Sequence, residues 1–258
     1  MPLVSVCIAT YNGEKFIREQ LDSILCQLSA NDEVIISDDG STDNTRSIIL
    51  SYCDPRIKLF ENKTLNLTRN QLTIYRVTRN FENALRNASG DIIFLSDQDD
   101  VWERTKVQEV LPLFESQNTA LVVHDAVLMN DGHQIIADSY FQMLKSRPGL
   151  LKNIVKNSYL GCCMAFNKKV LEKSLPFPPN LIAHDIWIGL IAERTGNVVF
   201  TGKKLIRYQR HESTVTTSGE KSKHGILFKI SYRLQFLIQY FSRIFLITTT
   251  RNKSIFQR

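Results

Sequence analysis

Three carboxylates stand within four residues at Asp97-Gln98-Asp99-Asp100, directly after the apolar run Ile92-Ile93-Phe94-Leu95. Crowded carboxylates raise one another's pKa. A hard divalent cation, Mn2+ or Mg2+, relieves the repulsion and takes water and phosphate oxygens as further ligands. A solvated acidic turn is the plain alternative, and the position after an apolar strand favours the cation. A second acidic loop, Asp38-Asp39-Gly40-Ser41-Thr42-Asp43, follows another apolar run. A carboxylate there can accept the N3–H of a uracil or thymine ring. The same residue types also suit a turn and helix cap. Both are expected: Asp43 bracing the loop and Asp39 facing a base. The Asp spacing does not fit an EF-hand. His184-Asp185 opens a helical stretch. An acid near a helix N-terminus is electrostatically comfortable, and it is also placed to take a proton from a hydroxyl. Arg210-His211 offers diphosphate or metal contacts, although a lone His is more often structural.

The elements that must position these groups alternate. Val4–Ala9, Glu33–Ser37, Ile57–Phe60 and Asp91–Leu95 read as strands. Glu14–Leu28, Asp43–Cys53 (capped by Ser41 or Thr42) and Arg79–Ala88 carry helical spacing. Strands separated by helices imply an α/β fold with a mostly parallel central sheet flanked by helices. Ligands bind such sheets beyond the carboxyl ends of the strands. Thr10-Tyr11-Asn12, the Asp38–Asp43 loop and Asp97–Asp100 all fall at such ends, so the fold brings them to one rim. Downstream, Glu103–Gln117 and Ala183–Thr195 read as helices and Ala120–His124 as a strand. Residues 130–220 are less regular.

Composition is that of a globular protein, with 43% hydrophobic and 22% charged residues. The net charge of +6 is uneven: Lys221–Arg258 holds eight Lys or Arg and no acid, leaving residues 1–220 with 24 basic against 26 acidic. The tail therefore seeks an anionic partner. Leu227, Ile230, Leu234, Leu237, Ile238, Phe241 and Phe245 recur there at helical spacing. This reads as a C-terminal amphipathic helical tail that either packs on the domain or lies on a membrane surface. Apolar residues dominate it, so nucleic acid is not the expected partner. Five cysteines without a CxxC pair read as free thiols in a reducing compartment. No secretory signal or 18-residue apolar span is read, so the expected location is cytoplasmic, peripheral on the inner face of the cell membrane.

The blocks Val4-Ser5-Val6-Cys7-Ile8-Ala9-Thr10-Tyr11-Asn12-Gly13, Ser37–Asp43, Asn80-Phe81-Glu82-Asn83-Ala84-Leu85 and Leu95–Trp102, followed by His184-Asp185 and Arg210-His211, resemble glycosyltransferase family 2. The resemblance covers about residues 3–215. The wording around the acidic cluster is similar to rhamnosyltransferase-like enzymes that build bacterial surface polysaccharides. The resemblance implies a GT-A domain over 1–220, with a nucleotide part to about 118, an acceptor part over 119–220, and the tail at 221–258. It implies an inverting, metal-dependent transfer from a nucleoside diphosphate sugar, UDP- or dTDP-linked, to a glycan or lipid-linked acceptor. Thr10 and Tyr11 would line the nucleotide pocket, Asp39 would contact the base, and Asp97 would sit near the ribose or diphosphate. Asp99 would hold the metal, joined by His211, and Asp185 would be the catalytic base. Asn12, Asp100, Trp102, His184 and Arg210 complete the expected substrate-binding set. Two departures from the family stand out: His184 replaces the more common Glu, and the stretch 61–78 is longer than usual, with Leu67-Thr68-Arg69-Asn70 echoed at Val77-Thr78-Arg79-Asn80. A catalytically inactive scaffold on this fold is the rival reading. A HAD-type phosphatase is a weaker one, because it leaves the Asp38–Asp43 loop unexplained.

Overall fold

A computed structural model describes residues 1–62, 73–115, 118–130, 132, 134–210 and 226–255, with side chains of the last helix described over 233–247. The chain order is β1 (Val4–Thr10), α1 (Ile17–Leu25), β2 (Glu33–Asp38), α2 (Thr45–Ser51), β3 (Ile57–Glu61), α3 (Thr73–Arg86), β4 (Ile92–Asp97) and β5 (Val101–Trp102). Then follow α4 (Lys106–Val110), β6 (Thr119–Asn130), β7 (Ile135–Ala137), α5 (Tyr140–Leu144), α6 (Leu150–Val155), β8 (Met164–Asn167), α7 (Lys168–Ser174), α8 (His184–Glu193), β9 (Asn197–Arg210) and α9 (Ile226–Ile255).

One sheet runs β3-β2-β1-β4-β8-β6-β9-β5, with β7 on the flank of β6. The first four strands are parallel, as helical crossovers require. β8 then enters antiparallel between β4 and β6, which makes the whole sheet mixed. Parallel strands covered on both faces need continuous apolar runs, and β1 and β2 are buried almost throughout. Helix α1 buries Ile17, Leu21 and Ile24 on one face. The register sets Thr10 opposite Asp38 and Ala9 opposite Asp97, so both acidic loops flank the end of β1.

Several elements differ from the sequence expectation. The helix after β2 starts at Thr45, because Asp43 holds the loop before it. Helix α3 begins at Thr73, and the first copy of the echoed tetrapeptide and most of 61–78 lie outside the described residues. Helix α4 stops at Val110 and continues as a 3-10 turn over Leu111–Phe114, where Pro112 supplies no N–H. β6 is 12 residues long, held by β9 over most of its length.

The tail forms α9, and one of its faces packs on the domain. Phe236 meets Trp187 edge-on at 6.1 Å, and Arg243 donates to the carbonyls of Lys173 and Leu175 at 2.9 Å. Its other face leaves Leu234, Ile238, Phe241 and Phe245 exposed. Among the described residues no helix is long and apolar enough to cross a membrane. All five cysteines are free, with Cys7, Cys162 and Cys163 buried.

Candidate active site

Side chains tie the two N-terminal rim loops together. The buried Thr10 donates its hydroxyl to Asp38 at 3.0 Å. Asp38 also accepts from the Ser41 amide at 3.0 Å and hydroxyl at 2.5 Å. Asn12 takes a left-handed backbone (φ 46°), which Asn tolerates, and accepts from the Thr42 amide at 2.8 Å. Asp43 accepts from the Thr45 hydroxyl at 2.5 Å and the Glu14 amide at 3.1 Å. Burial works to raise the Asp43 pKa, but these hydrogen bonds outweigh it and hold the carboxyl below its ordinary value. Asp39 accepts from Arg76 Nε at 2.7 Å and Asn62 Nδ2 at 2.9 Å. The Arg76 guanidinium lies 4.8 Å from the Tyr11 ring centroid, and that ring is 44% exposed.

The acidic cluster is fastened to the same loop. Gln98 accepts from the Tyr11 amide at 2.9 Å and donates to the Tyr11 carbonyl at 3.1 Å. A Cβ on residue 13 would collide with the Gln98 amide, so Gly13 leaves room for that side chain to clamp the loop. Asp97, Asp100 and Cys162 bring ligand atoms within 4.8 Å of one another. Both Asp100 carboxylate oxygens are buried without a hydrogen-bond partner among the described residues. Burial, then the charge of Asp99, then that of Asp185, push Asp97 up to about 7. Burial and the charges of Asp97 and Asp99 raise Asp100 well above its ordinary value. The buried Lys106 donates to the Cys162 carbonyl at 2.9 Å and caps the Trp102 ring at 3.9 Å. Burial lowers its pKa to about 8, against its acidic neighbours.

On the far side, Asp185 sits in the first turn of α8 and is half-buried. It accepts from the Ile186 amide at 2.7 Å and from Asn157 Nδ2 at 3.4 Å. Burial pushes its pKa up to about 6. His184 stacks on Phe81 with ring centroids 4.2 Å apart, and burial pushes it down to about 3, so the ring is neutral. Gly161 admits this ring: a Cβ there would approach His184 Nε2 to 3.0 Å. Helix α3 links the two sides. Its Asn80 donates to the Thr10 carbonyl at 3.0 Å and its Asn83 to Ser37 Oγ at 2.8 Å. Its Glu82 accepts from the Phe177 amide at 2.9 Å.

Comparison with known proteins settles the class. Residues 5–175 match the family described as Glycosyl transferase family 2. The chain belongs to glycosyl transferase family 2. An Escherichia coli relative, UDP-Glc:alpha-D-GlcNAc-diphosphoundecaprenol beta-1,3-glucosyltransferase WfgD, is 25% identical over 217 residues, covering 84% of this chain and 80% of that protein. The solved structure of S. aureus TarS 1-349 in complex with UDP-GlcNAc superposes with TM-score 0.64 at 21% identity, covering 85% of this chain. This chain spans about three fifths of that one, 62%. Mannosyltransferase PcManGT from Pyrobaculum calidifontis, solved with GDP-Man and Mn2+, gives TM-score 0.58 at 21% identity, covering 95% of this chain and 64% of that one. The fold is GT-A, and the chain is a glycosyltransferase.

Within this family 2 domain the rim gathers Tyr11, Asn12, Asp39, Asp97, Asp99 and Asp100, and the Asp97–Asp185 charge interaction links that rim to α8. Trp102, expected as a substrate contact, turns inward. It is 2% exposed, its indole N–H donates to Ser96 Oγ at 3.2 Å, and it packs in the core. Thr10 is buried as well, its hydroxyl engaged with Asp38, so it shapes the floor rather than offering a donor. Arg210 ends β9 opposite Asn130, half-buried, and His211 lies outside the described residues. Sequence reasoning missed Gln98, Arg76, Lys106, Cys162 and Asn157. Gln98 alone carried a signal, as the residue between the paired acids.

Proposed function

We propose that the chain catalyses inverting transfer of a sugar from a nucleoside diphosphate sugar, UDP- or dTDP-linked, to a hydroxyl of a glycan or lipid-linked acceptor in bacterial surface polysaccharide synthesis. The observation that carries this reading is the buried carboxylate cluster of Asp97 and Asp100 at the end of β4, near enough to Asp185 in the first turn of α8 for their charges to interact. A charged donor site and a carboxylate of raised pKa thus share a cleft. WfgD, with its UDP-glucose donor and diphosphoundecaprenol-linked acceptor, supports the choice of donor and acceptor class.

In this reading the base of the nucleotide lies on the exposed Tyr11 ring. Its N3–H reaches Asp39, which Arg76 and Asn62 hold at the rim. The carboxylates fit a divalent cation, since Asp100 is buried with unpartnered hard oxygen donors beside Asp97. Asp99, with Asp97 and Asp100, would hold Mn2+ or Mg2+; the soft Cys162 thiol suits neither ion. A bound cation would neutralise charge on the leaving diphosphate. Asp185 takes the proton of the acceptor hydroxyl as that oxygen attacks the anomeric carbon, and a pKa near 6 suits a general base at neutral pH. One attack on one face inverts the configuration. The neutral His184 ring, held by Phe81, flanks the acceptor. Such a protein works in the cytoplasm at the inner membrane face, with the exposed side of α9 against lipid.

The test is turnover of UDP- and dTDP-sugars with a diphosphate-linked acceptor, read by nucleotide release and by NMR of the product linkage. The expected product has the anomeric configuration opposite to the donor's. Retained configuration, or no release from any donor, contradicts the reading.

A further inference from the structure

Beside Asp185 lies an opening that the transfer chemistry does not use. A cavity of about 220 Å³ separates α6, α8 and α9. Ile154, Ile186, Phe236 and Leu237 form its apolar walls, and Asn157 and Arg233 supply polar atoms. Among the described residues no carboxylate lines it. Asn157 is shared with the transfer site, since its Nδ2 also donates to Asp185. An occupant is therefore one side chain away from the base. Arg233 is exposed and gives one donor to the Val155 carbonyl at 3.2 Å, which leaves most of its guanidinium N–H groups available. Pockets for whole drug-sized ligands run to about 300–1,000 Å³. This smaller cavity suits a segment of a longer molecule. The same two helices offer exposed apolar residues for the remainder: Val155 at the cavity with Leu151 one turn before it on α6, and Leu234 and Ile238 beside the lining residues Arg233 and Leu237 on α9. Charge selects the occupant further: α9 contains no Asp or Glu, and a cation stands against an apolar slot. That combination matches an anionic head on a hydrocarbon chain.

We propose that this cavity seats the lipid-proximal part of a diphosphate-linked isoprenoid acceptor, with Arg233 on the diphosphate and the first isoprene units on Ile154, Ile186, Phe236 and Leu237. The inference rests on the transfer reading above and adds a binding site to it. Its occupant holds the sugar hydroxyl of the acceptor toward Asp185.

The experiment is calorimetric titration of the full chain with farnesyl diphosphate, with EDTA present so that diphosphate binding through a divalent ion is absent. Farnesol and inorganic diphosphate are the control ligands. The wild type binds farnesyl diphosphate more tightly than either control. Arg233→Gln, a change at an exposed position, weakens farnesyl diphosphate about tenfold and leaves farnesol unchanged, as loss of a charged hydrogen bond predicts. Leu237→Asp weakens both lipids. Equal affinity in the wild type and both variants overturns the proposal. So does displacement of farnesyl diphosphate by short-chain phosphatidylglycerol at matching concentration, which would assign the cavity to bulk membrane lipid. A concentration-dependent dimer that excludes the probe would assign the face to a second copy and overturn it too. Titration of the same preparation with UDP and Mn2+ separates the two levels. No lipid binding with UDP bound overturns only this site, whereas loss of UDP binding strikes the donor reading.

Discussion

The loop after β2 and the start of α8 hold their carboxylates in opposite ways. In the Asp38–Asp43 loop the acids are saturated with donors: Asp38 accepts from Thr10 and Ser41, Asp39 from Arg76 and Asn62, and Asp43 from Thr45 and Glu14. On the acceptor side Asp185 has the amide of its own neighbour and one long bond from Asn157. The electrostatics follow. Asp43 is held below its ordinary pKa, while Asp185 rises to about 6. Hydrogen bonds to the ionised form stabilise it, and burial without them does the reverse. The first arrangement makes a rigid floor for a fixed ligand. The second makes a carboxylate that can take a proton near neutrality.

The contrast can be broken most forcefully at Asp185. Asp185→Asn should lower the transfer rate about 10²–10⁴-fold, measured as nucleotide release at saturating donor. The same exchange at Asp43 should act on the fold instead, costing about 1–2 kcal/mol in denaturant unfolding after allowance for its partial exposure. Trp102→Ala should cost about 3–5 kcal/mol of stability, because a fully packed indole leaves a cavity. Wild-type stability with a raised KM would return Trp102 to the substrate. Gln98→Ala frees Tyr11 from its two-bond clamp and should weaken UDP binding about tenfold with kcat little changed.

Acid sharpens the comparison. The ionised form of Asp185 is the working base, so activity should be half-maximal at about pH 6, level off above it and fall about tenfold per unit well below it. Glu33 anchors the nucleotide side. Burial opposes its ionisation, but bonds from Lys58, Ser5 and Ser89 hold its pKa at about 2. Its folded pKa is depressed, so its stabilising contribution is present above about 4.5 and is lost as pH falls toward 2. Activity should therefore vanish while the protein is still folded. Coincident loss of both, followed by circular dichroism and rate at each pH, would contradict this. The smallest expected effect is at Asn157. Asn157→Ala removes one weak donor, so the acid limb should move slightly to higher pH with a rate loss of only about two- to threefold.

The nucleotide side was the legible one. Its strands are buried apolar runs closed by acidic turns, and the parallel register carries Asp38 and Asp97 to either side of β1. Asp185 was legible only through the family resemblance, because an acid at a helix start has an ordinary explanation of its own. The burial of Trp102 was not legible, because its position beside an acidic cluster gives no sign that the short β5 turns its ring inward. The antiparallel entry of β8 escaped notice because a four-residue strand carries too little periodicity. The roles of Lys106, Cys162 and Asn157 depend on contacts between distant segments, such as the 56-residue separation of Lys106 from Cys162, which no local pattern encodes.

Calorimetry of UDP with and without Mn2+ on the wild type, Asp99→Asn and Asp185→Asn tests the division of the cleft most directly. The predicted result is metal-dependent binding in the wild type, unchanged in Asp185→Asn and abolished in Asp99→Asn. Loss of UDP binding in Asp185→Asn, or metal-dependent binding that survives in Asp99→Asn, would contradict the assignment of a metal-borne donor side and a separate base.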